Sequence, residues 1–92
     1  MPLYTHVQWV DGDAKHPGRH VLYFVNQQAD PMLAIVWNAQ RGDYVFDVSD
    51  EEALRIAASW GYPLDLAAAL AHARVELPKA DAQRAASSRN TR

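Results

Sequence analysis

The sequence predicts an α+β domain, a four-stranded antiparallel β-meander followed by two short α-helices packed on one face, with a flexible C-terminal tail. Three observations lead to it. Four segments rich in Val, Ile, Tyr, Phe and Trp lie between turn residues in the first half of the chain. The connections between them, of nine, six and four residues, are too short for helical crossovers. From Ser49 onward, apolar residues recur at helical spacing.

The strands are read as Tyr4 to Val10, His20 to Val25, Met32 to Asn38 and Asp43 to Val48. The last connection contains Arg41-Gly42-Asp43, a tripeptide also found in cell-adhesion ligands. Strand composition on both flanks makes it a hairpin turn, with Gly42 supplying the positive φ that a short loop needs. Ser49-Asp50-Glu51-Glu52 opens the first helix as a capping box, its carboxylates facing the positive end of the helix dipole. Ala53, Ile56, Ala57 and Trp60 share one face of this helix, Glu51 and Arg55 pair on the other, and Gly61 followed by Pro63 ends it. A second helix from about Asp65 to Arg74 buries Leu66, Ala69, Leu70 and Ala73. Residues 1–78 therefore form a single domain. Residues 79–92, polar and without an apolar face, form a flexible or partly helical basic tail.

A chain of 92 residues buries only about 60 to 65% of its unfolded surface, so a partner or a second copy would help it. The absence of cysteine removes disulfides and thiolate metal sites. With no signal-like N-terminus and no long apolar run, the expectation is a cytoplasmic protein outside the membrane. Residues 1–77 carry five Lys/Arg against ten Asp/Glu, and residues 78–92 carry four against one, so an acidic body precedes a basic tail. That leaves nucleic-acid contact to the tail alone.

Symmetric pairing about each loop sets Val10 opposite His20, Val25 opposite Met32 and Asn38 opposite Asp43. Alternation then gives two faces. Leu22, Phe24, Leu33, Ile35, Trp37, Tyr44, Phe46 and Val48 make the floor for the helices. The second face collects Val7, Trp9, Val21, Tyr23, Val25, Met32, Ala34, Val36 and Val45, with Asp47 as its charge on the last three strands. An antiparallel sheet with one face in water should be more polar, so Val7, Trp9, Val21, Tyr23, Val25, Met32, Val36 and Val45 are the candidate protein or homodimer interface. Two alternatives shrink this patch: the C-terminal segment folding beneath the sheet, or a one-residue shift of the first strand.

Catalytic chemistry has thin support. Asp11, Asp13, His16 and His20 share one loop and are the residue types a divalent metal takes, but Pro17-Gly18 prevents helical spacing of the two histidines. His6, placed beside Phe24, is too far from His20 to join them. Nucleophile, Walker and dinucleotide motifs are absent from the sequence. The leading expectation is a non-catalytic interaction module such as a small bacterial or phage-encoded inhibitor, immunity or adaptor protein, with no cofactor. A metal-dependent hydrolase built on the loop from Asp11 to His20, and a nucleic-acid-associated protein using the tail, are the alternatives.

Overall fold

The computed structural model describes residues 4–10, 18–25, 28 and 30–90, with backbone only for Tyr4, Met32 and residues 87–90. Four strands, β1 (Tyr4–Val10), β2 (Arg19–Val25), β3 (Pro31–Asn38) and β4 (Asp43–Phe46), form one antiparallel sheet in the order β1-β2-β3-β4. Two helices follow, α1 (Asp50–Ser59) and α2 (Leu66–Asn90). The predicted α+β meander is what the chain forms.

The β3–β4 hairpin has the expected register, with Asn38 opposite Asp43 and Trp37 opposite Tyr44. Gly42 takes φ 65° and donates to the Asn38 carbonyl at 2.8 Å, while the Asn38 side chain accepts from the Arg41 amide at 3.0 Å. The tripeptide is the turn. Its Asp43 is held by a two-pronged bond from Arg74, each prong 3.0 Å. The Arg74 guanidinium thus keeps the Asp43 carboxyl below its ordinary range.

Ser49 caps α1 as predicted, its hydroxyl accepting from the Glu52 amide at 3.2 Å. The second half of the capping box does not form. The Glu52 carboxylate engages Arg55, one turn ahead, in place of the predicted Glu51–Arg55 pair. Gly61 at φ 72° ends the helix, with Tyr62 donating back to the Ala57 carbonyl at 3.0 Å. Asp65 opens α2 by accepting from the Ala68 amide at 3.1 Å.

Both helices lie on the predicted floor. Leu22, Phe24, Leu33, Ile35, Tyr44 and Phe46 of the sheet are buried against Ala53 and Ala57 of α1 and Ala73 and Leu77 of α2. The four alanine and leucine positions without exposed surface let the helices approach closely, and Phe24 stacks on Phe46 at 6.5 Å. Burial raises the Tyr44 hydroxyl above its ordinary phenol range. Val48, expected in this floor, is exposed, because β4 stops at Phe46 and the chain turns to cap α1.

The second helix is the largest difference from the sequence reading. It does not stop near Arg74 but runs for 25 residues to Asn90, through Pro78. The segment after Pro78, expected as a flexible or partly helical tail, is helical through Asn90. Pro78 is exposed, so its ring and the carbonyl of Arg74, which loses an amide partner, lie on the side away from the sheet. Leu66, Leu70, Ala73, Leu77, Asp81 and Arg84 continue one stripe at steps of three and four residues.

Candidate functional site

Strand β1 settles the composition of the second sheet face. Its register is one residue from the symmetric expectation: Val7 lies opposite Leu22, Trp9 opposite His20 and His6 opposite Tyr23. A one-residue slip reverses every side chain of a strand. Val7 and Trp9, assigned by the sequence to the interface, therefore belong to the helix-covered face, where Val7 packs on the core. His6 and Gln8 take their places on the other face, and both are exposed.

That other face is built in rows across the strands. One row runs Gln8, Val21, Val36, Val45, and the next runs His6, Tyr23, Ala34, with Asp47 donating its amide to the Ala34 carbonyl at 2.8 Å. Val21 is 1% and Ala34 6% exposed, so Val21 offers no contact surface to a partner. Tyr23, Val25, Val36 and Val45 remain half-buried. The side chain of Met32 is outside the described residues. Packing between helices and sheet involves only the opposite face, and among the described residues no element covers Tyr23, Val36 and Val45.

The covered face carries a second constellation, one the sequence reading missed. Asp81 of α2 accepts from the His20 amide at 3.1 Å and from His20 Nδ1 at 2.6 Å, with Arg19 at 3.8 Å from its other oxygen. A carboxylate can only accept, so the proton of this contact sits on Nδ1. His20 meets Trp9 edge-on at 5.0 Å, and the Arg84 guanidinium lies 3.8 Å from the centre of the Trp9 ring. Arg19 covers Trp37, which meets Tyr44 edge-on at 5.1 Å. The end of the sheet is thus an aromatic row roofed by α2 through one carboxylate and one guanidinium. Trp9 Nε1 and Asp81 Oδ2 are buried without a hydrogen-bond partner, and both residues line a cavity of about 370 Å3.

Asp11, Asp13 and His16 lie outside the described residues. His20 belongs to the Asp81 contact, and among the described residues no group of three or more His, Asp or Glu could hold a metal ion. Arg84, one cation of the basic tail, is occupied by Trp9. His72 is exposed and lines a depression with Thr5, Phe24 and Ala69. A depression of about 750 Å3 follows the β4 edge beside Leu70, Arg74 and the start of α1. Its Arg74 is committed to Asp43, whose carboxylate also accepts from the Tyr44 amide at 2.8 Å and so closes part of that strand edge.

No helix of the described residues is long and apolar enough to cross a membrane. Comparison with protein-family models, with curated proteins and with solved structures finds no match for this chain.

Proposed function

We propose that this chain is a non-catalytic protein-interaction module that acts by occupying a surface, as small bacterial or phage-encoded inhibitors, immunity proteins and adaptors do. One observation carries the reading: Tyr23, Val25, Val36 and Val45 stand on a sheet face that no described element covers. Partner contact supplies the apolar burial that a chain of 92 residues lacks. The acidic body favours approach to a basic rim, affecting association rate more than affinity.

A photo-crosslinking residue placed at Val36, with exposed Leu54 of α1 as the control position, tests this directly. Position 36 is expected to give a discrete protein adduct in cells of the source organism, and Tyr23→Asp is expected to remove it without unfolding the chain. The reading fails if position 36 yields no protein adduct, or the same diffuse adducts as position 54.

A further inference from the structure

We infer that two copies of this chain join edge to edge, β1 antiparallel to β1, about a two-fold axis perpendicular to the sheet at Val7. The product is one eight-stranded sheet. This contact goes beyond the interaction-module reading, which concerns the open face.

Backbone directions place the free groups. The Ala34 carbonyl accepts from the Asp47 amide, so Ala34 turns to the β4 side and its neighbours Leu33 and Ile35 turn to β2. Their partners Phe24 and Leu22 face back to β3, which turns Val21 and Tyr23 toward Gln8 and His6 of β1. Thr5, Val7 and Trp9 are left over. Their N–H and C=O groups point out along an edge that pairs with no described strand. The His20 amide obeys the same alternation: it turns to the β3 side beyond the last pair, Leu22 with Ile35, and meets Asp81 there.

The two edges of the sheet differ. Strand β4 has four residues, and its Asp43 carboxylate occupies the Tyr44 amide. Strand β1 has seven, Y-T-H-V-Q-W-V, without the Lys, Pro or inward-pointing acid that keeps an edge from pairing. Thr5, His6 and Gln8 are exposed, so the strand is within reach.

The strand is also complementary to itself. An axis at Val7 sets Val7 beside Val7 and each Thr5 beside Trp9 of the second copy, so every outward residue meets an outward residue. All six N–H groups then find carbonyls. An axis at His6 or Gln8 would form four bonds and set His6 on His6 or Gln8 on Gln8. About Val7, each His6 instead lies across from Gln8 of the second copy, two hydrogen-bonding side chains about 4.5 to 5.5 Å apart at Cβ. Two valines adjoin where Val7 packs on each core. The strand carries no Lys, Arg, Asp or Glu to oppose its own image. A perpendicular axis keeps the helices of both copies on one side and makes the two open faces one continuous surface.

Seven residues at about 3.4 Å each and a side-chain depth of about 10 Å give a contact of about 240 Å2 per copy in projection. This is well below the roughly 1,200 Å2 in total of a standard interface. The dimer is therefore transient, half-formed on the order of 100 µM.

Sedimentation of the full chain across a micromolar to millimolar series is the experiment, with a spectrum of backbone folding recorded for every variant. The wild type is expected to dimerise. Thr5→Pro, tolerated on an edge because the lost amide faces outward, removes two of the six bonds and is expected to weaken the dimer about tenfold or more. Tyr23→Asp, on the open face, is expected to leave it within about threefold. Register is read by cross-linking, since the chain has no cysteine of its own. A mixture of His6→Cys and Gln8→Cys chains is expected to oxidise to the mixed 6–8 disulfide ahead of 6–6 or 8–8, and this holds even if Thr5→Pro fails to fold. A chain monomeric to about 1 mM overturns the inference, as does a folded Thr5→Pro that dimerises like wild type, a dimer lost with Tyr23→Asp, or a preference for 6–6 or 8–8. A monomer whose position 36 still cross-links to another protein overturns this inference and leaves the module reading standing. A dimer whose position 36 captures nothing does the reverse.

Discussion

Ile35→Ala is expected to destabilise the chain by about 2 to 5 kcal/mol, whereas Val36→Ala, one residue further along the same strand, costs less than about 1 kcal/mol. Ile35 has no exposed surface and sits beneath the helices between Leu22 and Phe46. Removing three carbons there leaves a cavity that a β-sheet cannot collapse. Val36 points to the open face, where solvent fills the vacated space. Against a total of about 5 to 15 kcal/mol for ordinary domains, the first change brings so small a chain to the edge of unfolding. Urea titration of both variants is the measurement, with the midpoint moving and the slope unchanged. Equal losses would mean that the two faces are equally covered.

Asp81→Ala is expected to release residues 79–90 from the sheet while leaving the meander folded. Beyond Leu77 the stripe of α2 facing the sheet offers Asp81 and Arg84, and Asp81 holds both His20 contacts and faces Arg19. Charge-assisted hydrogen bonds contribute about 1.5 to 3 kcal/mol each when well placed. Asp81 is partly exposed, so the lower end applies. Pro78 marks where the helix yields, since the backbone ladder already lacks one bond there. Amide hydrogen exchange is expected to show residues 79–90 losing protection while β2 and β3 keep theirs. Unchanged protection of that segment would mean that Asp81 does not anchor it.

These two sites mark where the sequence was and was not legible. The β3–β4 register followed from a four-residue loop around Gly42, and alternation from it placed Leu33, Ile35, Tyr44 and Phe46 correctly. The α1 cap and stop were equally local, written in Ser49 and Gly61. The β1–β2 pairing hung on a nine-residue loop, in which symmetry is a poor guide, and one residue of error sent Val7 and Trp9 to the wrong face. The β2–β3 register held through Phe24 and then slipped at a bulge that sets Val25 opposite Pro31.

The extension of α2 was hidden for a different reason. Periodicity detects helices that bury hydrocarbon, and past Leu77 this helix is attached by a carboxylate and a guanidinium. Lys79, Asp81 and Arg84 look like a solvated tail in one dimension. Only the four-residue step from Leu77 to Asp81 and the three-residue step on to Arg84, together with unmatched His20 and Trp9 on the sheet, carried the signal. The open face was legible as an apolar excess on strands two to four, and the structure trims it to Tyr23, Val25, Val36 and Val45 with Val21 closed to contact.

Whether that face is open in solution is measured most directly by hydroxyl-radical footprinting of the dilute chain, comparing Tyr23 with Tyr44. Both are tyrosines in the same sheet, one on each face, and Tyr44 is 7% exposed beneath the helices. Labelling of Tyr23 is expected to be several-fold faster than that of Tyr44 and to fall when an occupant is bound. A Tyr23 as protected as Tyr44 in dilute solution would show the face roofed by the chain itself, and the interaction surface would be lost with it.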